Sequence, residues 1–221
     1  MGTTAIVMGA TGLVGASVAQ QLCDESRVDV VRTLTRRPIA SACATAQNTV
    51  VDFSRLEQHA ALFRGDMLFS CLGTTKKQAG SIAAQRVVDV DYQLTAARLA
   101  AANGVRHYLL VSSAYADARS SNPYTRMKGE LEEAVSALPF DSISIFQPSV
   151  LVGPRDHVRV GERVGEFVLG ALSWVPGVRR YRPIRGTEVA RRMIDVSRAP
   201  HPGVRRYVLD EVFPVNNAGG R

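Results

Sequence analysis

Short apolar runs alternate along the chain with longer stretches in which apolar residues recur at helical spacing. Strand-like runs occupy residues 5–8, 28–35, 49–53, 67–71, 108–112, 142–146 and 206–209. Helical stretches between most of them cover residues 13–23, 56–63, 82–102 and 124–138. Continuous apolar strands that alternate with helices are typical of a parallel sheet covered on both faces. The pattern therefore predicts an α/β fold with a doubly wound parallel sheet of about seven strands.

The alternation weakens after Gly153-Pro154. Residues 164–172 carry apolar side chains at i, i+3, i+4, i+7 and i+8, which predicts one amphipathic helix. Residues 174–184 contain two prolines and are expected to be irregular, and residues 187–196 form a predicted last helix with Thr187 as its N-cap. We predict one domain over residues 1–221. Within it, residues 154–200 form a small lobe over the strand ends and residues 214–221 a flexible tail.

Glycines spaced three apart follow the first strand directly and precede the first helix. In such a turn the first glycine permits the sharp bend, the second lets the backbone approach a pyrophosphate, and the third lets helix and strand pack closely. The positive end of the helix then faces the anion. A turn with no ligand is the simpler alternative. The context favours dinucleotide binding by Gly9, Ala10, Thr11, Gly12, Leu13, Val14 and Gly15.

The end of the second strand carries arginines instead of an acidic residue. Arg36 and Arg37 follow Thr35, and a guanidinium suits the extra phosphate of NADP, whereas an acid there favours NAD. We therefore predict NADP(H) over NAD(H), with two arginines on a surface loop as the alternative. At the end of the third strand, Asp52 and the adjacent Phe53 are candidates for the adenine end, although Asp52 is equally suited to a turn.

Composition and charge narrow the function classes. The chain is 46% apolar and 21% charged and has a net charge of +7, as expected for a globular protein. No apolar run reaches the length of a membrane span. The excess of arginine after Leu151 fits a solvated basic surface, an anionic substrate or a nucleic acid. Because no nucleic-acid motif accompanies it, we expect a small-molecule substrate and no membrane partner, with nucleic acid as the less favoured alternative.

The cysteines and histidines indicate a location and exclude one kind of site. Three well-separated cysteines, at positions 23, 43 and 71, predict reduced thiols rather than a disulfide framework. The N-terminus shows no cleavable leader. We therefore expect a cytoplasmic protein. The four histidines are not at metal-ligand spacing from one another, so no metal site is predicted.

Candidate chemistry follows the fifth strand. The strand ends in Ser112-Ser113, and the next helix begins near Tyr124, with Lys128 four residues later on the same helical face. A neighbouring ammonium stabilises a phenolate, so the pair could exchange a proton with a carbinol or carbonyl oxygen. A serine hydroxyl could hold the same oxygen. An ordinary exposed helical pair is the alternative.

Together these motifs resemble the short-chain dehydrogenase/reductase superfamily in its extended and atypical branches. Cys71-Leu72-Gly73-Thr74-Thr75 and the stretch 120–130 are similar to the Tat-interacting oxidoreductase-like NAD(P)H-binding proteins. The resemblance spans residues 4–208 and implies a Rossmann-like, seven-stranded sheet that binds NADP(H).

The resemblance also implies residue roles. Tyr124 would be the general acid/base, Lys128 would hold the ribose hydroxyls, and Ser113 would position the substrate oxygen, with Ser112 as the alternative. The segment Cys71, Leu72, Gly73 and Thr74 would run beside the cofactor. Gln147, Pro148 and Ser149 would pass its nicotinamide end, with Gln147 in place of the arginine that is usual in extended members.

Two functions remain open from the sequence. The first is an NADP(H)-dependent oxidoreductase that acts on a small carbonyl compound or alcohol, as monomer or homodimer. The second is an NADPH-binding, redox-sensing regulator with little or no turnover. An intact Ser/Tyr/Lys set favours the enzyme, whereas the short C-terminal part favours the regulator.

Overall fold

The computed structural model describes residues 2–153 and 179–214. Within them, seven strands form one sheet in the order β3-β2-β1-β4-β5-β6-β9, and every neighbouring pair is parallel. The strands are β1 (Thr4–Met8), β2 (Val30–Thr35), β3 (Ala46–Val50), β4 (Met67–Ser70), β5 (His107–Val111), β6 (Ser142–Gln147) and β9 (Gly203–Val208). Two short strands, β7 (Leu151–Val152) and β8 (Ile184–Arg185), pair separately in parallel.

Helices connect the strands of the sheet. They are α1 (Leu13–Leu22), a 3₁₀ segment (Phe53–Phe63), α2 (Lys76–Ala79), α3 (Ile82–Arg86), a π-helical turn (Val87–Asp91), α4 (Tyr92–Ala102), α5 (Pro123–Ser136) and α6 (Gly186–Arg198). Short 3₁₀ turns cover Arg179–Tyr181 and Leu209–Val212. The helix predicted over residues 82–102 is thus interrupted only by the π-helical turn.

The two faces of the sheet carry separate apolar cores. On one face, α1 and α6 bury residues such as Val18 and Met193 against Val7 and Phe69. On the other face, the 3₁₀ segment, α4 and α5 bury residues such as Leu56 and Leu131 against the sheet. Apolar side chains that alternate between faces explain why each central strand is buried throughout. The predicted doubly wound α/β fold is confirmed. However, the helix predicted within the small lobe, α6, packs on the sheet beside α1.

The third strand lies earlier in the chain than predicted. The prediction placed residues 49–53 in it, whereas β3 ends at Val50 and Asp52 caps the 3₁₀ segment by accepting from the Ser54 N–H. The polar start of β3 hid it from the apolar pattern. Asn48 is held in the strand because its side-chain amide donates to the hydroxyls of Thr33 and Thr35 on β2, at 3.0 and 2.9 Å.

Other C-terminal predictions have mixed outcomes. Thr187 was predicted as an N-cap but lies inside α6, because Arg185 precedes the helix and its N–H is bound by the Glu188 carboxylate at 2.8 Å. The predicted amphipathic helix 164–172 and residues 215–221 of the predicted tail lie outside the described residues. The same holds for residues 154–178 of the predicted lobe.

The prediction of three reduced thiols is wrong for two of them. Cys23 and Cys43 form a disulfide with Cα atoms 6.1 Å apart, and Cys71 is free. Cys23 caps the end of α1, and β2 carries the chain forward alongside β1 before the loop that holds Cys43 turns back towards this helix end. Sequence separation alone does not reveal this proximity.

Candidate functional site

The glycine turn after β1 is shaped by two close backbone approaches. Gly9 has φ +81°, and a Cβ there would lie 2.5 Å from the carbonyl oxygen of Cys71. A Cβ on Gly15 would lie 2.2 Å from the Gly9 carbonyl oxygen, which also accepts from the Gly12 N–H at 2.8 Å. Only glycine fits these two positions. The turn therefore brings the N-terminus of α1 against the carboxyl edge of the sheet, where it can face an anion.

A cleft of about 2070 Å³ opens at the carboxyl ends of β1, β4, β5 and β6. This is where ligands bind in open parallel sheets. From the glycine turn, Thr11 to Val14 line the cleft, whereas Gly9, Ala10 and Gly15 lie behind them and set the backbone path. The other predicted site residues that line it are Cys71, Leu72, Gly73, Thr74, Ser112, Ser113, Tyr124, Lys128, Pro148 and Ser149.

Buried polar groups hold the loop after β4 against the cleft. The π-helical turn places Asp89, which is fully buried, behind this loop, and its carboxylate accepts from the Thr74 N–H at 2.9 Å. The Gln85 amide donates to the same carboxylate at 3.1 Å and to the Thr74 carbonyl oxygen at 3.2 Å. Burial raises the pKa of Cys71 to about 12. The carbonyl oxygen of Cys71 packs against Gly9, so the backbone of this residue helps to set the path of the glycine turn.

The start of α5 brings Tyr124 and Lys128 to the cleft. The Asn122 side chain accepts from the Tyr124 N–H at 2.9 Å, and Pro123 occupies the first helical turn, so the helix begins at a defined residue. Tyr124 is 39% exposed, whereas Lys128, one turn later, is only 3% exposed. Among the described residues, no hydrogen bond or ion pair engages the Lys128 ammonium.

The two serines at the end of β5 differ in what they contact. The Ser112 hydroxyl donates to Oε1 of buried Glu132 at 2.5 Å. The Ser113 hydroxyl has only a long hydrogen bond, 3.3 Å, to the carbonyl oxygen of Ala114. Ser113 is therefore the serine whose hydroxyl can be recruited by a molecule in the cleft.

Gln147 does not reach the cleft. Its amide donates to both carboxylate oxygens of Glu132, at 2.8 and 3.1 Å, and the Arg206 guanidinium donates to Oε2 at 3.0 Å. Glu132 on α5 thus engages the Gln147 side chain, whereas Pro148 and Ser149 of the same segment line the cleft, and the passage of this segment by the nicotinamide end stays a prediction. Arg206, from β9, supplies a guanidinium to this buried carboxylate.

A second, smaller cavity of about 590 Å³ lies beside the ends of β2 and β3. Arg36, Asp52 and Phe53 line it together with Tyr92, whose ring centroid is 5.8 Å from that of Phe53. The Ser54 hydroxyl and N–H donate to Asp52 and lower the pKa of its carboxyl. Arg37 is exposed and lies outside the lining of both cavities.

Several cleft residues were not predicted. Lys76 and Lys77 come from the short helix α2, and Tyr115 and Tyr181 stack with ring centroids 6.4 Å apart. No periodicity marks a one-turn helix, and the contact between the two tyrosines joins residues far apart in the chain. Tyr115, after Ser113, and Tyr181, within residues 155–184, belong to segments whose sequence positions indicate the substrate pocket, although neither side chain was singled out.

The chain was compared with known protein families and structures. A family model described as NAD(P)H-binding matches residues 9–145, from the glycine turn to β6. The chain belongs to this NAD(P)H-binding family. The match covers the turn, the β4 loop and the Ser/Tyr/Lys segment, and it supports an oxidoreductase-like fold with a small-molecule ligand. The resemblance to atypical short-chain dehydrogenases/reductases is confirmed by the relatives found.

Two relatives of this NAD(P)H-binding chain cover most of its length. Protein HTATIP2 of Rattus norvegicus is 38% identical over 177 residues, which is 77% of this chain and 73% of the relative. "Protein fmp52, mitochondrial" of Emericella nidulans is 36% identical over 176 residues, 76% of each chain. Other relatives also carry the word mitochondrial in their names. The prediction of a cytoplasmic location conflicts with this finding and is wrong.

Solved structures agree on the fold. MoeE5 in complex with UDP-glucose and NAD matches with a TM-score of 0.67 and 14% identity, over 96% of this chain and 79% of that one. The UDP-N-acetylglucosamine 4-epimerase of Methanobrevibacter ruminantium M1 in complex with UDP-N-acetylmuramic acid matches with a TM-score of 0.68 and 12% identity, over 94% and 77%. At such identities the likeness shows the Rossmann-like fold alone.

Among residues 2–153 and 179–214, no group of three or more histidine, cysteine, aspartate or glutamate side chains is arranged to hold a metal ion. None of the helices there combines the length and apolar character that crossing a membrane requires.

Proposed function

We propose that this protein is an NADP(H)-dependent oxidoreductase that interconverts a small carbonyl compound and its alcohol. The observation that carries the proposal is the meeting of Ser113, Tyr124 and Lys128 in the same cleft as the glycine turn. Lys128 is 3% exposed as a residue and lines the cleft, and no other described residue forms a hydrogen bond or ion pair with its ammonium. That ammonium is therefore available to the ribose hydroxyls of a dinucleotide and to the phenol of Tyr124.

The described residues fit such a cofactor. Space for a Cβ is missing at Gly9 and Gly15, so the turn packs tightly on itself and on the β4 loop, and the backbone of Thr11 to Leu13 lines the cleft where a pyrophosphate would bind. When bound, the nicotinamide would supply or accept the hydride.

Each side chain then has a defined task in carbonyl reduction. The Ser113 hydroxyl donates a hydrogen bond to the carbonyl oxygen and orients it. The Tyr124 hydroxyl gives its proton to that oxygen as negative charge develops there. The Lys128 ammonium stabilises the phenolate left behind until a proton returns from solvent. In alcohol oxidation the same transfers run in reverse.

The preference for NADP(H) rests on Arg36. It lines the smaller cavity with Tyr92 and Phe53, at the end of the second strand, where the adenosine ribose lies in dinucleotide folds. The exposed Arg37 offers a matched control. Arg36→Ala should remove most of the difference between the NADPH and NADH dissociation constants, and Arg37→Ala should leave it. Equal affinities of the parent protein for both cofactors would contradict the preference.

The catalytic role is tested by Tyr124→Phe. This variant should bind NADPH as the parent does, yet lose at least about a hundredfold in carbonyl reduction, the usual contribution of a general acid. Tyr207→Phe, at a buried tyrosine of β9 outside the cleft lining, is the control. Full turnover by Tyr124→Phe would remove the phenol from the mechanism. Tight NADPH binding by a parent protein that reduces no carbonyl compound would favour the regulatory alternative instead.

A further inference from the structure

The lysines of this chain are confined to one place. The sequence has three, Lys76, Lys77 and Lys128, and all three line the large cleft. Arginine supplies the positive charge everywhere else. Such a division between the two cations is notable because lysine offers a mobile point charge, whereas arginine is suited to fixed, forked pairing.

The cleft lysines also differ from the arginines in their partners. Every ion pair among the described residues uses an arginine, as when Arg86 and Arg126 both meet Glu130. No aspartate or glutamate is found among the described residues that line the cleft. The described lining of the cleft thus carries positive charge, with the Asp89 carboxylate buried behind the β4 loop, and the exposed ammonium groups can attract an anion.

The proposed cofactor accounts for only part of this charge. Its diphosphate would meet the backbone of Thr11 to Leu13, and Lys128 would meet its ribose. Lys76 and Lys77 lie on α2, immediately after the loop that runs along the cleft, and both are exposed. Their ammonium groups remain for a second anion.

We propose that the carbonyl substrate bears a carboxylate, and that Lys76 and Lys77 bind it at the rim of the cleft. This inference rests on the proposed function, since it names the class of substrate for that site. The other end of the substrate has an apolar surface to meet. Tyr115 and Tyr181 stack with an angle of 16° between their rings, both line the cleft, and Tyr115 follows Ser113 closely.

Tyr115 has an exposed aromatic ring and an unfavourable backbone conformation. It is 67% exposed, although it is a large aromatic residue, and its φ of +63° is one that residues other than glycine rarely adopt. Backbone strain of this kind is concentrated at ligand sites. A planar ring beside Ser113 and a carboxylate near the two lysines together describe an aromatic keto acid as a suitable probe.

The experiment compares a negatively charged aryl ketone with a neutral derivative of it. The two probes are 4-acetylbenzoate and its neutral methyl ester. Each is titrated calorimetrically into the protein saturated with NADP⁺. Because NADP⁺ carries no hydride to donate, neither ketone is reduced during the titration. We expect the acid to bind about tenfold more tightly than the ester, as two partly screened ion pairs allow. In Lys76→Gln/Lys77→Gln the two affinities should become equal. Lys76→Arg/Lys77→Arg should keep the difference, and added salt should weaken it.

Three outcomes would overturn this inference. The first is equal affinity of the parent protein for the acid and the ester. The second is an unchanged ratio of these two affinities in Lys76→Gln/Lys77→Gln. The third is a loss of NADP⁺ affinity in that variant as large as its loss of acid affinity, which would assign the lysines to the cofactor. Consumption of NADPH with each ketone is recorded separately. Selective binding of the acid without reduction of either ketone would contradict the proposed function and leave the anion site supported.

Discussion

Replacement of Glu132 by alanine should be among the most destabilising single changes in this protein. Its side chain is 3% exposed, and its carboxylate joins three elements of the fold to α5. Oε1 accepts from Ser112 at the end of β5, both oxygens accept from Gln147 at the end of β6, and Oε2 accepts from Arg206 on β9. The variant leaves these donors without an acceptor and opens space beneath the site.

The expected loss in free energy of unfolding depends on how deeply each partner of Glu132 is buried. Removing one member of a buried charged network costs about 3–5 kcal/mol. Arg206 is 44% exposed on its side-chain surface and can regain water, which places Glu132→Ala near the lower limit, at about 3 kcal/mol. Glu132→Gln keeps an acceptor for Ser112 and should cost about 1–2 kcal/mol. Arg206→Gln leaves the carboxylate two donors and should cost about 1–2 kcal/mol as well.

Urea denaturation of the cofactor-free protein measures these differences. With a slope of about 3 kcal/mol per molar urea, Glu132→Ala should lower the midpoint by about 1 M. Glu133→Ala, an exposed neighbour on the same helix, is the matched control and should stay within about 0.5 kcal/mol of the parent. If Glu132→Ala unfolds within about 1 kcal/mol of Glu133→Ala, this carboxylate does not organise the strand ends as described.

Two further predictions concern the glycine turn and a buried histidine. Gly15→Ala places a methyl group 2.2 Å from the Gly9 carbonyl oxygen, so it should cost at least about 2 kcal/mol and abolish NADPH binding by titration; wild-type affinity would refute the close approach. Burial lowers the pKa of His107 to about 4 from 6.5, so the unfolded chain binds a proton between these values that the folded chain excludes. Stability should therefore fall by about 2 kcal/mol between pH 7.5 and pH 5 on account of His107. Urea midpoints at the two pH values should converge in His107→Gln but not in the exposed control His201→Gln; an unchanged pH dependence in His107→Gln would count against this origin.

Local patterns were sufficient for the core of the fold. The spacing of Gly9, Gly12 and Gly15 predicts a turn because steric contact leaves no alternative residue at two of these positions. The four-residue spacing of Tyr124 and Lys128 predicts a shared helical face, and both side chains line the cleft. Such features depend on neighbours within one or two turns of chain, which a sequence displays directly.

Long-range contacts were the features that the sequence could not reveal. Cys23 and Cys43 meet because the loop after β2 turns back towards the end of α1. The resemblance implied that Gln147 lies beside the cofactor, and nothing in the sequence shows that Glu132 contacts both Gln147 and Arg206. The polar start of β3 was not predicted for a related reason, because Asn48 is stabilised there by hydroxyl groups of β2.

A crystal structure grown with saturating NADPH is the most direct test of the account. We predict density for the dinucleotide with its diphosphate against Thr11 to Leu13, its ribose hydroxyls on Lys128, and its nicotinamide ring beside Tyr124 and Ser113. Density for the cofactor elsewhere on the protein, or a cleft with no dinucleotide at saturating concentration, would contradict the central claim.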